Sequence, residues 1–207
     1  MPLRVKICGI TNRDDAKAAI DAGADALGFI LYEKSKRFIS IENAIRIIET
    51  LPPFVQTVAV TVNATREFTN LGWRKQLKTF NLAQLHGQES PVHVRAVAKY
   101  LPVIKVFPAD QARPSEYDSL VSAYLLDTPS KDHGGTGIAF DWNLALEFKK
   151  RTSRPLILSG GLNPENVAKA IEMVHPYAID VSSGVEASPG KKDHAKLRDF
   201  IRICKSL

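Results

Sequence analysis

Residues 155–167 read Pro155-Leu156-Ile157-Leu158-Ser159-Gly160-Gly161-Leu162-Asn163-Pro164-Glu165-Asn166-Val167. A short apolar run stops at paired glycines, and Asn163 then stands at a helix N-cap position with Pro164 at the first helical position. A buried strand feeding a fresh helix end exposes backbone N–H groups, which with the helix dipole can hold an anion. Taken alone the stretch reads equally as an ordinary turn whose glycines only permit the backbone angles. A second stretch decides between them. Ala178-Ile179-Asp180-Val181-Ser182-Ser183-Gly184-Val185-Glu186-Ala187-Ser188-Pro189 is another short strand, with Ser182, Ser183 and Gly184 at its end. Two consecutive strand ends of this kind near the C-terminus predict a phosphate cradle, which eight-stranded βα barrels build after strands seven and eight.

Outward from these two turns the same alternation fills the chain. Apolar runs occur at 5–8, 26–30, 55–62, 82–85, 103–107, 124–126, 156–158 and 178–181. Helix-like segments follow at 13–22, 41–51, 65–79, 91–100, 116–121, 142–150, 163–173 and 193–204. Thr11 or Asn12, Ser40 and Ser90 stand where N-caps belong, and Gly23 where a C′ glycine belongs. The fifth helical segment is the least regular, because Pro108 to Tyr117 is polar and aperiodic. Strand starts recur about every 25 residues, the βα repeat of a closed (βα)8 TIM barrel rather than of an open sheet. A Rossmann reading fails on its glycines: Gly135-Thr136-Gly137-Ile138-Ala139-Phe140 ends in phenylalanine and does not sit in a first βα turn. No P-loop signature is present.

The bulk numbers fit one α/β domain over residues 1–207. The chain has 207 residues, 44% hydrophobic and 24% charged, near the lower limit of roughly 200 residues for such a barrel. Its net charge of +6 suits an anionic ligand, but without a basic run interleaved with aromatics it does not predict a nucleic-acid surface. The two cysteines, Cys8 and Cys204, make neither a disulfide framework nor a zinc set. The N-terminus lacks a signal peptide's apolar core, and no apolar run reaches the ~18 residues of a membrane span. A cytoplasmic protein is expected, so the acceptor pattern Asn63-Ala64-Thr65 is read as chance.

Reactive groups in a βα barrel sit at the C-terminal strand ends. There the chain offers Cys8, Asp127 and Asp180, with His86 after the fourth strand and Arg37 after the second. Alternation places Lys6 and Cys8 on one face, and Asp180 and Ser182 on one face, which predicts an inward Lys6–Asp180 pair. Arg37 offers a fork suited to a carboxylate. His86 is read as a hydrogen-bonded core residue and Cys204 as packing. A thiol of pKa ~8.5 is a few per cent thiolate at neutral pH, more beside a cation, so Cys8 can accept a proton. Asp127 can donate one if burial or a bound anion raises its pKa. No metal site and no cofactor are expected.

With these residues assembled, the chain resembles the phosphoribosylanthranilate isomerase family of tryptophan biosynthesis over nearly its whole length. The motifs are Lys6-Ile7-Cys8-Gly9-Ile10-Thr11, Gln84-Leu85-His86-Gly87, Leu126-Asp127, Gly134-Gly135-Thr136-Gly137, Phe140-Asp141-Trp142, Ser159 to Pro164, and Asp180 to Glu186 with Pro189-Gly190. The resemblance implies a cofactor-free Amadori rearrangement of N-(5-phosphoribosyl)anthranilate. It implies Asp127 as general acid opening the furanose ring and Cys8 as general base removing the C2 proton. It implies Arg37 on the anthranilate carboxylate, and Gly160, Gly161, Ser182, Ser183 and Gly184 on the phosphate. Gly135 and Thr136 would lie in a loop closing nearby, and Asp180 is a further candidate contact. The family often has Ser-Pro-Arg where this chain has Ser35-Lys36-Arg37, which predicts a less rigid loop under Arg37. The expected partner is this small molecule, with neither nucleic acid nor membrane, and the protein is expected to be a monomer or homodimer.

Two other readings compete. One is another phosphate-binding barrel, a sugar-phosphate epimerase or an indole-glycerol-phosphate synthase-like enzyme. The first would want a His/Asp ligand set where only His86 is available, and the second would want lysines at strand ends, whereas Lys6 lies below the rim. The other is a basic, non-catalytic binder of anions or nucleic acid, supported only by net charge.

Overall fold

A computed structural model describes residues 3–64, 70–128 and 139–207. Eight parallel strands close on themselves: β1 Arg4–Cys8, β2 Ala26–Ile30, β3 Gln56–Thr61, β4 Leu82–Leu85, β5 Val103–Pro108, β6 Ala123–Asp127, β7 Leu156–Leu158 and β8 Ala178–Val181. β8 returns to pair with β1 in the register Lys6↔Asp180, and β1 pairs β2 with Cys8 opposite Gly28. The barrel predicted from the βα repeat is therefore present.

Alternation sorts each strand's side chains into two layers. Val58, Val60, Ile104, Val106, Leu125 and Ile157 fill the barrel interior together with Cys8. Ile7, Leu27, Phe29, Leu85, Leu126 and Ile179 point outward into the larger core beneath the helices. Strands buried on both faces read as unbroken apolar runs, which is why the sequence located them.

Seven helices cover the barrel among the described residues: α1 Arg13–Asp21, α2 Ile41–Ile48, α3 Leu71–Leu77, α4 Pro91–Ala98, α5 Asn143–Lys149, α6 Val167–Val174 and α7 His194–Ser206. Asn12, Ser40 and Ser90 cap α1, α2 and α4 through side-chain oxygens, and Gly23 follows α1 at φ +103°. The expected third helix began at Thr65, and residues 65–69 lie outside the described ones. So does the third residue of the Asn63-Ala64-Thr65 pattern.

The fifth expected helix, 116–121, is not one. A single 3-10 turn, Pro114–Glu116, stands there. The segment is too short for two helical turns, and Asp118 is diverted to tie the layers together, accepting from Tyr124 Oη at 2.7 Å and Thr152 Oγ1 at 2.8 Å. α6 also starts later than expected. Asn163 takes N–H groups from Glu165 and Asn166, both at 3.0 Å, in a turn ahead of the helix, which begins only at Val167. Beyond β8 lies a hairpin the sequence did not suggest, β9 Glu186–Ser188 and β10 Lys191–Lys192, turning at Pro189-Gly190. No helix among the described residues is long and apolar enough to cross a membrane.

Candidate active site

The strand ends open into a cavity of about 650 Å³, lined by Cys8, Asp127, Ser159, Asp180, Arg37 and Ser182, among others. These groups are far apart in sequence. Barrel closure puts β1 and β8 side by side, while β6 reaches the same mouth from across the ring. Gly160, Gly161 and Ser183 line it as well. Gly184 does not; it stands behind the wall, where a Cβ would collide with the carbonyl oxygen of Leu162. The two turns after β7 and β8 are thus packed backbone against backbone, which only glycine allows. Gly135 lies outside the described residues, as does Thr136.

Cys8 ends β1 and is buried. Below it the Lys6 ammonium bonds Asp180 Oδ1 at 2.7 Å, the inward pair that alternation predicts, and Asp180 Oδ2 accepts from Ser159 Oγ at 3.2 Å. Gly28, opposite Cys8 on β2, makes room for both: a Cβ there would lie 2.9 Å from Cys8 Sγ and 2.9 Å from Lys6 Nζ. Burial pushes the Cys8 thiol above its ordinary range, against the pull of the Lys6 and Lys192 ammonium groups. The expectation that a neighbouring cation would enrich the thiolate is therefore outweighed by desolvation. Burial also works against the Lys6 ammonium, but Asp180 and the neighbouring thiol more than compensate and its pKa is raised.

Asp127 ends β6. Its Oδ1 accepts from the Thr128 N–H at 2.8 Å, and its Oδ2 lies 3.3 Å from His86 Nε2. His86 is thus not a core residue: it lines the cavity beside Asp127. Gln84 Nε2 is 3.3 Å from His86 Nδ1, and a donating amide there leaves the ring proton on Nε2, facing Asp127. At φ +86°, Gly160 adopts a backbone that side chains resist, and a Cβ would sit 2.8 Å from Asp127 Oδ1. Two buried polar atoms at this mouth, Ser182 Oγ and Gln84 Oε1, have no hydrogen-bond partner among the described residues. Buried polar atoms are rarely left so, and both residues line the cavity.

Arg37 is on the rim, but its fork already holds a carboxylate of this chain. Nε bonds Glu186 Oε1 at 2.9 Å and Nη2 bonds Glu186 Oε2 at 2.8 Å. Lys192 then bonds Glu186 Oε1 at 3.0 Å, the Cys8 carbonyl at 2.7 Å and the Ser182 carbonyl at 3.2 Å. Burial raises the Glu186 carboxyl, yet Arg37 and Lys192 hold it below the usual range, so it is ionised. The loop lacking the family's proline is fastened by Ser35, whose Oγ accepts from the Arg37 N–H at 3.1 Å. Sequence reasoning missed Glu186 and Lys192 as site residues. Glu186 falls inside a quoted motif, whereas nothing marks Lys192 in Lys191-Lys192 until the hairpin turns it inward.

The comparisons agree with this geometry. The family model for N-(5'phosphoribosyl)anthranilate (PRA) isomerase matches residues 5–203. An N-(5'-phosphoribosyl)anthranilate isomerase of Thermotoga maritima is 49% identical over 208 residues, covering 99% of this chain and 100% of the relative. The crystal structure of phosphoribosyl anthranilate isomerase from Thermotoga maritima superposes with a TM-score of 0.89 at 47% identity, covering 99% of this chain and 100% of that one. A phosphoribosyl anthranilate isomerase crystallised with reduced 1-(o-carboxyphenylamino)-1-deoxyribulose 5-phosphate gives a TM-score of 0.83 at 45% identity, with coverage of 99% and 100%. This chain, with its closed barrel and its thiol and carboxyl at one mouth, belongs to the N-(5'-phosphoribosyl)anthranilate isomerase family.

Proposed function

We propose that the protein isomerises N-(5-phosphoribosyl)anthranilate to 1-(2-carboxyphenylamino)-1-deoxyribulose 5-phosphate, as a cytoplasmic enzyme of tryptophan biosynthesis. The observation that carries the reading is that Cys8, Asp127 and the paired turns after β7 and β8 line one cavity. In this reading Asp127 gives its proton to the furanose ring oxygen. The bond from that oxygen to C1 breaks, and the anilino nitrogen's lone pair closes a C1=N Schiff base. Cys8, as thiolate, takes the C2 proton, and the freed electron pair moves through C1 to nitrogen, giving an enol-amine. Tautomerisation carries the enol hydrogen to C1 and leaves a C2 ketone.

The remaining groups position the molecule. The backbone of Gly160 and Gly161, with Ser182 and Ser183, suits the phosphate, and the unpartnered Ser182 hydroxyl is a ready donor to it. Gly184 acts from behind by letting the two turns touch. Arg37 faces the carboxylate, and Asp180 acts through Lys6 rather than on the substrate. The test is loss of the substrate's anthranilate fluorescence without added cofactor. Cys8→Ala and Asp127→Ala should each be nearly inactive while remaining folded, and full activity in either removes the assigned role.

A further inference from the structure

Arg37 stands on a loop, and a long side chain on a loop has no fixed aim of its own. We infer that Glu186 and Lys192 form a brace that positions Arg37 for a carboxylate-bearing ring at the cleft mouth, an inference that rests on the reading of Arg37 given above.

Hydrogen-bond capacity makes the argument. The Lys192 ammonium has three donors, and all three are committed, to the Cys8 carbonyl, the Ser182 carbonyl and Glu186. Glu186 Oε1 accepts from Arg37, Lys192 and the Gly190 N–H at 3.3 Å, while Oε2 accepts from Arg37. Neither residue has capacity left for a ligand. Arg37 does: its Nη1 makes no hydrogen bond among the described residues. The hairpin carrying the brace is itself anchored to the loop after β1 and to the first turn of α1, since Thr11 Oγ1 donates to the Gly190 carbonyl at 2.5 Å and Asp15 Oδ2 accepts from the Lys192 N–H at 2.8 Å. The stem of Arg37 passes over Gly9, where a Cβ would lie 2.8 Å from Arg37 Cδ. One unit therefore spans the thiol-bearing strand, the turn after β8 and the guanidinium.

Charge points the same way. The cluster holds two cations and one anion, and the side chains of Arg37, Glu186 and Lys192 are 14%, 4% and 0% exposed. A buried group of charges with one cation in excess is unfavourable until an anion joins it. A ligand carboxylate on Nη1 supplies the missing charge, and the fork to Glu186 fixes where it lands. Glu186 and Lys192 are positioning residues, since neither reaches the reacting atoms.

The test is steady-state kinetics on Glu186→Gln, Arg37→Ala and the double variant, with ribose 5-phosphate, which carries phosphate but no carboxylate, as competing inhibitor. The expected result for Glu186→Gln is a KM raised about ten-fold with kcat changed by less than about three-fold, as for loss of uniform binding. Ribose 5-phosphate should inhibit as before, and the double variant should be no worse than Arg37→Ala. Multiplying losses in the double variant, inhibition that weakens in step with KM, or an unchanged KM in Glu186→Gln overturns the brace. A parental KM in Arg37→Ala overturns the reading of Arg37 itself, and the brace with it. A raised KM there with none in Glu186→Gln overturns the brace alone. Should Glu186→Gln not fold, Glu186→Asp keeps the charge and withdraws the fork by one methylene; it should raise KM too, and an unchanged KM there also overturns the proposal.

Discussion

Among the buried lysine–carboxylate pairs of the described residues, Lys6–Asp180 and Lys105–Glu89 have nearly the same length, 2.7 Å and 2.8 Å. Their surroundings differ. Lys105 sits between the inward residues Ile104 and Val106, so it points out of the barrel. There its ammonium also meets the carbonyls of Gly87 at 2.7 Å, Val106 at 3.0 Å and Leu85 at 3.3 Å, while Glu89 takes the N–H groups of Asn63 and Gly87. Every donor and acceptor is used within the fold. Lys6 lies inside the barrel, shared between Asp180 and the Cys8 thiol, under a cavity with unpartnered polar atoms at its mouth. Burial and pairing are common to both, so neither marks a working site. A closed hydrogen-bond account marks the structural pair, and an open one marks the pair at the site.

The sharpest way to break this contrast is to remove chemistry from the open side. Cys8→Ala and Asp127→Ala should each lower kcat by roughly a thousand-fold or more, the range of a lost general acid or base. Their melting temperatures should stay near the parent's, because neither truncation strands a buried charge. Next comes the closed side. Lys105→Met leaves Glu89 buried without its cation and should destabilise the fold by about 3 kcal/mol or more. Its kcat/KM below the melting range should match the parent's. A Lys105→Met enzyme that is stable but slow would erase the distinction, and urea unfolding beside the fluorescence assay reads both quantities.

The same contrast explains what the sequence could carry. β1 and β8 were legible because they are short apolar runs with a charge at a regular alternate position, so Lys6 and Asp180 could be paired on paper. Lys105 was hidden in Val103-Ile104-Lys105-Val106-Phe107, where the apolar neighbours absorb it and the outward direction becomes clear only with the register. Glu186 and Lys192 were hidden differently: strands of three and two residues are too short for any period to show. The Glu116–Val121 segment misled because its helical pattern spans less than two turns, and Asp118 had a tertiary partner to win. His86 was read as core because its sequence neighbours are core; the barrel rim, where the chain leaves β4, turns it toward Asp127.

Protonation offers a finer probe. The groups whose charge acts on Cys8 are Lys6 from its own strand, Asp180 from β8 and Lys192 from the hairpin. With the thiol raised by burial, the thiolate is the minor form at neutral pH, and its fraction grows about ten-fold per pH unit until the thiol's pKa is reached. Lys6, itself raised, stays charged over that range. In the Cys204→Ser background, iodoacetamide alkylation of Cys8 should therefore accelerate from pH 7 to pH 9. The neutral pair Lys6→Met with Asp180→Asn should move that acceleration to higher pH, because the cation that favours the thiolate is gone. An unchanged profile would mean that the Lys6–Asp180 pair leaves the thiol alone and belongs, like Lys105–Glu89, to the fold only.

The smallest expected effect comes from one methyl group. Gly28→Ala would put a Cβ 2.9 Å from both Cys8 Sγ and Lys6 Nζ, closer than real Cβ contacts run. Both neighbours are the far ends of side chains, so the barrel can absorb the methyl by pushing thiol and ammonium aside, at about 1 kcal/mol of strain. Stability should change little, but the thiol should lose its aim at C2, lowering kcat by about ten-fold with inhibition by ribose 5-phosphate intact. A methyl that melts the barrel without touching kcat would place Gly28 with the closed, structural half of the molecule. One that slows turnover in a stable barrel places the space above Lys6 with the open half, where position matters more than packing.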